Sequence, residues 1–253
     1  MSEQKIKAAI NLYAILKNLE DLVAYDGEAR ALVTGREVTI QFTVKDGPKA
    51  WVAFDKDGCR MGRGRAARSH VHLWFTSCGH LNKMFDGNAN PIPVKGFAKL
   101  GFLQKEFTAL TKRLEYFLRP ENVENPDDHY IKMNTLFTLT IAAFALPEIA
   151  LYDERAKYTA SHLPDGSLQM SVLPDGPHVY LEIKDHKITA GKGRLEKPLA
   201  AMLMKNARVA NDFLNGKSDP FTAIALGDVM IKGQIPILDG INLILDRVIH
   251  YVS

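Results

Sequence analysis

Residues 46–65 read DGPKAWVAFDKDGCRMGRGR, and residues 175–194 read DGPHVYLEIKDHKITAGKGR. The two stretches lie 129 positions apart, and the same offset joins Asn82 to Asn211. Eight positions between 46 and 87 are identical to their counterparts without a gap. This period is far longer than that of a solenoid repeat, so each copy is predicted to be a domain. The predicted domains span residues 1–120 and 127–253, with Pro120 and Pro126 in the linker between them.

Hydrophobic periodicity predicts the elements of each copy. Apolar residues alternate with polar ones from Val38 to Val44, and tight turns follow, so the first three strands are expected to form an antiparallel meander. The first copy is predicted to contain a helix at 3–23, strands at 38–44, 50–54, 59–65 and 69–75, a helix at 77–85, a strand at 96–103 and a helix at 105–118. The second is predicted to contain a helix at 129–146, strands at 168–172, 178–183, 187–194 and 199–204, a helix at 208–214, a strand at 228–234 and a helix at 237–251.

Composition is that of a globular protein, with 46% hydrophobic and 24% charged residues. The net charge of +3 is too small to indicate a nucleic-acid partner. Cys59 and Cys78 have Ile188 and Ala207 as counterparts, so no disulfide is shared by the two copies. The first residues carry charges of both signs, unlike a signal peptide. A reducing, cytoplasmic location is therefore expected.

Paired glycines mark one position of each predicted sheet. Gly62 and Gly64, like Gly191 and Gly193, are two residues apart on a predicted strand and are expected to share a face. Glycine inside a strand indicates a close approach, either of a packed helix or of a bound ligand. The arginines at 60, 63, 65 and 68 form a basic cluster beside the first pair. The cluster indicates either a solvated sheet edge or transient contact with an anionic membrane surface.

The first copy contains four residues that could bind a metal. His70, His72, Cys78 and His80 are ligand types at short spacing, but no carboxylate lies among them and the second copy has apolar residues there. Polar surface with a helix cap is the alternative interpretation. An enzyme with a metal at His70 and His72 is one functional hypothesis, although no nucleophile elbow, P-loop or zinc-protease motif is present.

The second copy resembles the sterol carrier protein 2 family. The resemblance lies in Gly191-Lys192-Gly193-Arg194, in residues 211–221 (NDFLNGKSDPF) and in residues 227–233 (GDVMIKG), and it covers about 165–253. The first copy keeps Phe85-Asp86-Gly87 and Pro91 but has Lys99-Leu100-Gly101 in place of the Gly-Asp strand. The resemblance implies an α+β fold of two tandem domains, each a five-stranded, mostly antiparallel sheet covered by helices, with an apolar tunnel between sheet and helices.

The function that this resemblance implies is non-catalytic binding of a lipid, sterol or acyl chain, without a cofactor. The second copy is the expected binder, since the first departs from the pattern. The residues expected to line its site are Leu199, Met202, Leu203, Phe213, Ile231, Ile237, Ile241, Ile244 and Leu245. The alternative is an accessory subunit of a lipid- or quinone-related enzyme complex, with no ligand cavity.

Overall fold

The computed structural model describes residues 3–119, 121 and 123–252. The chain divides into two compact units, Met1–Arg119 (unit 1) and Pro120–Ser253 (unit 2). Each unit contains one five-stranded mixed sheet and several helices, which confirms the predicted α+β class. Pro120, predicted to belong to the linker, lies outside the described residues.

Unit 1 begins with helices and continues with the first sheet. Its strands are β1 (Val38–Val44), β2 (Lys49–Asp55), β3 (Gly58–Arg63), β4 (Val71–Phe75) and β5 (Ile92–Lys95). Its α-helices are α1 (Glu3–Ile10), α2 (Asn18–Tyr25), α3 (Gly27–Val33), α4 (Cys78–Phe85), α5 (Leu100–Phe102) and α6 (Thr108–Leu118). A π-helical segment, Asn11–Ile15, follows α1, and a second, Leu103–Phe107, joins α5 to α6.

Unit 2 also begins with helices and continues with a sheet, and it has an additional helix before its fifth strand. Its strands are β6 (Gly166–Val172), β7 (His178–Lys184), β8 (Lys187–Lys192), β9 (Ala200–Met204) and β10 (Val229–Gly233). Its helices are α7 (Asp128–Tyr152), α8 (Glu154–His162), α9 (Ala207–Leu214), α10 (Pro220–Ala225), α11 (Ile235–Leu245) and α12 (Ile249–Val252).

The two sheets have the same topology. The strand orders are β3-β2-β1-β4-β5 and β8-β7-β6-β9-β10, and in each the first strand of the unit pairs in parallel with the fourth. All other pairs are antiparallel, including the predicted meander. The registers also correspond, since Ile40 pairs with Val71 in unit 1 and Leu168 with Ala200 in unit 2. The similarity of the two stretches thus extends to the hydrogen-bond ladder.

A buried glutamine anchors the loop that follows the third strand of each sheet. Gln169 donates its amide N–H groups to the carbonyls of Val179 and Gly193, at 2.9 and 3.1 Å, and its Oε1 accepts a hydrogen bond from Leu195 N at 2.8 Å. All polar atoms of this side chain are satisfied although only 5% of it is exposed. Gln41 makes the equivalent bonds in unit 1, to Ala50 O, Gly64 O and Ala66 N.

The paired glycines make room neither for a packed helix nor for a bound ligand. Gly62 lies opposite Trp51 in the β2–β3 ladder, and a Cβ there would collide with the indole ring. Gly191 makes the same room for the ring of Tyr180. The close approach is therefore that of an aromatic side chain on the neighbouring strand. Gly64 and Gly193 lie beyond the strand ends, with φ of 79° and 111°, and do not share that face.

The predicted fifth strand at 96–103 is wrong. The fifth strand is β5, which ends at Lys95, before the predicted strand begins, and residues 97–107 are helical. Gly96 ends β5 with a φ of 91°, which glycine adopts without strain, and its position against the carbonyl of His70 leaves no room for a Cβ. The sequence analysis also missed three short helices, α3, α8 and α10, because each has only six to nine residues and a weak apolar pattern.

Helix α7 is the longest element. Of the described helices it alone is long and apolar enough to span a membrane, and 61% of its most apolar window is buried inside the protein. Within unit 2 it packs on β7 and β8 and contacts α8, α9 and α11. A hydrogen bond that Asn211 Nδ2 of α9 donates to Asn134 Oδ1 of α7, at 2.7 Å, joins the two helices. These contacts are those of a core helix.

Replacing Gln169 by leucine tests the loop anchor. The change leaves the carbonyls of Val179 and Gly193 and the amide of Leu195 without their partner, so we expect a loss of about 1–3 kcal/mol in the free energy of unfolding. Chemical denaturation followed by circular dichroism measures it. The control Gln104→Leu changes an exposed helical glutamine and should stay within about 0.5 kcal/mol. Equal stability of the two variants would contradict the role of Gln169.

Candidate apolar ligand site

Helix α11 forms the cover of the site. It packs on β6, β9, α7 and α8. Ile237, Ile241 and Ile244 recur at i, i+4 and i+7, and each is at most 1% exposed. These three predicted lining residues therefore face the sheet from one side of the helix.

The floor of the site is the end of the sheet formed by β9 and β10. Met202 and Ile231 are direct partners in the antiparallel ladder, so their side chains share a face. Met202 also pairs with the buried Met170 of β6, which places this face on the side that the helices cover. Even so, Met202 is half-buried and Ile231 is 37% exposed. The helices thus leave this part of the apolar face open.

Leu199 lies at the open end of the same face. A Cβ built on Gly166 would come within 3.1 Å of Leu199 Cδ1 and 2.5 Å of Ile237 Cδ1, so both side chains converge over that glycine. Leu199 is 44% exposed, whereas Ile237 is fully buried. The site therefore grades from a closed interior under α11 to an exposed apolar mouth at Leu199 and Ile231.

The other predicted lining residues lie elsewhere on these elements. Leu203 follows Met202 along β9 and pairs with Met230, so it points to the opposite face of the sheet. Phe213 is half-buried on α9, and Leu245 is half-buried at the last position of α11.

Two glycines that sequence reasoning overlooked shape the site. Gly166 makes room beneath α11 for Ile237, and Gly240 allows α11 to approach Leu163 at the end of α8, where a Cβ would collide. A glycine inside the apolar run of residues 235–245 is itself a signal of close packing. Gly166, at the start of a strand, carries no comparable signal.

Unit 1 fills the corresponding region with aromatic rings. Phe54 of β2 has ring-centroid distances of 5.9 Å to Phe102 and 6.3 Å to Phe107, and Phe42 of β1 lies 6.4 Å from Phe107. Leu73, at the register position of Met202, is only 3% exposed. The sheet end of unit 1 is therefore closed by its own side chains.

A buried carboxylate fixes the helices around the site. Asp153 Oδ1 accepts a hydrogen bond from Ala156 N and caps α8, while Oδ2 accepts from Arg247 Nη2 at 2.9 Å and from the Tyr251 hydroxyl at 2.6 Å. Burial opposes ionisation of this group, but the hydrogen bonds from Tyr251, Ala156 and Arg247 outweigh it and lower the pKa of Asp153 to about 2. Asp26 and Arg113 form the equivalent pair in unit 1, at 2.8 Å.

The histidines of unit 1 are engaged in hydrogen bonds with the protein. His70 Nδ1 accepts from Thr39 N, His72 Nε2 bonds to Thr43 Oγ1, and His80 Nε2 bonds to the carbonyl of Asn90. Burial, together with Arg65 and Lys95, lowers the pKa of His72, and burial raises the pKa of the Cys78 thiol. Across residues 3–119, 121 and 123–252, no three His, Cys, Asp or Glu side chains cluster as metal ligands would. Neither Cys59 nor Cys78 forms a disulfide.

The class that these features define is an α+β domain in which apolar side chains at the end of a mixed sheet, beside α11, are partly exposed. No family model and no curated protein matches the sequence.

Several solved structures are similar to part of the chain. The UbiJ-SCP2 ubiquinone synthesis protein is 16% identical, with a TM-score of 0.35, and the match covers 45% of this chain and 96% of that protein. Sterol carrier protein 2 from Yarrowia lipolytica, in its apo form, is 13% identical, with a TM-score of 0.34 and coverage of 50% and 98%. The sec-alkylsulfatase Pisa1 from Pseudomonas sp. is 14% identical, with a TM-score of 0.26, and the match covers 56% of this chain and 30% of that enzyme.

The pH dependence of stability tests the Asp153 cluster. The folded-state pKa of about 2 lies below the ordinary value of 3.8, so the stabilisation is present above pH 4 and is lost as the pH falls toward 2. We expect Asp153→Asn to cost about 2 kcal/mol at neutral pH and to flatten the loss of stability in acid. Asp239→Asn, an exposed site on α11, is the control. If the free energy of unfolding falls equally steeply with pH in acid for Asp153→Asn and the wild type, the cluster does not stabilise the fold.

Proposed function

We propose that unit 2 binds one hydrophobic molecule with the apolar character of a lipid acyl chain or a sterol, and that it does so without catalysis. The observation that carries this proposal is the exposure of Met202, Ile231 and Leu199 on the side of the sheet that helices cover. Apolar side chains on that side are normally buried by the helices themselves. A contiguous exposed group of them is typical of a ligand-binding or interaction surface.

The gradation from the mouth to the interior supports a ligand that inserts by one end. Leu199 and Ile231 are accessible to solvent, while Ile237 and Ile241 lie behind them under α11 and are buried. Sites for small apolar molecules are lined mostly by such side chains, with few polar groups. We assign the lining to Leu199, Met202, Ile231, Ile237 and Ile241, and we leave Leu203 out because it faces away.

The contrast between the units supports unit 2 as the binder. The four phenylalanines at 42, 54, 102 and 107 occupy the interior of unit 1. Unit 2 has the smaller side chains Met170 and Ile183 at the strand positions equivalent to Phe42 and Phe54. The resemblance of residues 191–233 to the sterol carrier protein 2 family falls on the same unit.

Filling the mouth with a larger side chain tests this assignment. We expect Met202→Trp to weaken binding of a dansyl-labelled fatty acid by about tenfold or more, because the indole occupies the space of the ligand. Fluorescence titration of the full chain measures the affinity. Leu203→Trp is the matched control, since it places the same ring one residue along β9 on the opposite face and should leave the affinity unchanged.

Native mass spectrometry after detergent-free extraction separates the proposal from the accessory-subunit alternative. Copurified lipid that is lost in Met202→Trp supports the ligand site. A lipid-free mass together with a stoichiometric protein partner would favour the accessory role. The site would also be overturned if Met202→Trp and Leu203→Trp weakened fatty-acid binding equally, because the two side chains lie on opposite faces of the sheet and cannot both contact one ligand.

A further inference from the structure

The segment before β10 exposes bulky apolar side chains that do not form the site. Phe221 is 84% exposed, Ile224 42% and Leu226 70%, all on α10 or at its C-terminal end. In this short helix only Ala223 is buried. These three side chains, which we name the α10 tip, stand out from a largely exposed stretch and contribute little to the core of unit 2.

Positive charge accompanies the α10 tip. The carboxylate of Asp219 is engaged as the cap of α10, where it accepts hydrogen bonds from the amide and hydroxyl of Thr222 at 2.7 and 2.8 Å. Asp228 pairs with Lys205 at 3.2 Å. Lys217 and Lys232 are both exposed, before and after the tip in sequence. The acidic groups of this stretch thus have local partners, whereas these two lysines are presented to solvent.

The α10 tip comes directly before β10, one of the two strands that form the floor of the proposed site. Helix α10 packs against β10, the strand that carries Ile231. Strand addition by another protein is disfavoured at this edge, because β10 has five residues and contains Lys232.

We propose that the α10 tip docks unit 2 on a lipid surface that contains anionic headgroups. Phe221, Ile224 and Leu226 enter the boundary between headgroups and acyl chains, while Lys217 and Lys232 contact the headgroup phosphates. Separately exposed bulky side chains beside lysines suit a soft apolar boundary of this kind. This proposal rests on the proposed function, because docking on a lipid surface would give the ligand site of unit 2 access to its hydrophobic ligand.

Vesicle co-sedimentation of the full chain tests the docking. The probes are vesicles of phosphatidylcholine mixed with phosphatidylglycerol and vesicles of phosphatidylcholine alone. We expect the double variant Phe221→Ser and Leu226→Ser to lower partitioning onto the mixed vesicles by about tenfold or more. Lys217→Glu with Lys232→Glu should lower binding to the mixed vesicles and not to phosphatidylcholine, and added salt should act in the same direction.

Phe97→Ser is the matched control, because Phe97 of unit 1 is also 64% exposed and lies outside the α10 tip. The proposal is overturned if the double variant sediments like the wild type, or if Phe97→Ser loses as much binding. It is also overturned if light scattering shows a wild-type dimer that the double variant converts to monomer, since the occupant is then a second copy. Fatty-acid titration in solution separates the two proposals. If the double variant loses vesicle binding while Met202→Trp leaves the fatty-acid affinity unchanged, the docking proposal stands and the ligand site is overturned.

Discussion

The carboxylate of Asp153 joins the start of α8 to the segment that follows α11, the helix that covers the candidate site. A buried charge is costly unless it is paired and hydrogen-bonded, and here each oxygen has a donor: the Ala156 amide on one side, and Arg247 with Tyr251 on the other. The bonds attach the C-terminal end of the chain to the start of α8. The opposite end of the last helical region begins at Ile235, which is 53% exposed. The hydrogen bonds of Asp153 hold the chain after α11, whereas the start of α11 is exposed, and together these two features set the geometry of the site.

The same frame recurs in unit 1 with a different interior. Asp26 caps α3 and pairs with Arg113, Gln41 anchors the loop after β3, and Gly62 seats an aromatic ring. The frame therefore does not decide how completely the sheet of a unit is covered. The side chains decide it: four phenylalanine rings pack over β1 and β2 in unit 1 and Leu73 is 3% exposed, whereas Ile231 at the end of the sheet in unit 2 is 37% exposed. An interior packed to ordinary density has no room for a ligand.

Local signals predicted the sheets well and the short elements badly. Alternation from Val38 to Val44 is a property of one strand, and the strand formed where the pattern indicated. The error at 96–103 has a tertiary cause: β5 pairs with β4, whereas Phe102 and Phe107 pack against the ring of Phe54. A sequence window does not contain Phe54, so it cannot show that these residues belong to a helix. Gly191 was recognised as a point of close approach, but the approaching group, Tyr180, is identified only by the strand register.

The sequence by itself determined the repeated frame, because turn residues, paired glycines and strand alternation act over a few neighbouring positions. It also indicated the elements that carry the candidate site. The face of β9 that stays open was decided only by the tertiary structure. Residues 200–204 read AAMLM, so both faces of this strand are apolar and the pattern does not distinguish Met202 from Leu203. The distinction arises from the ladder with β10 and from how far α11 extends over the sheet, since exposure is a property of what packs against a side chain.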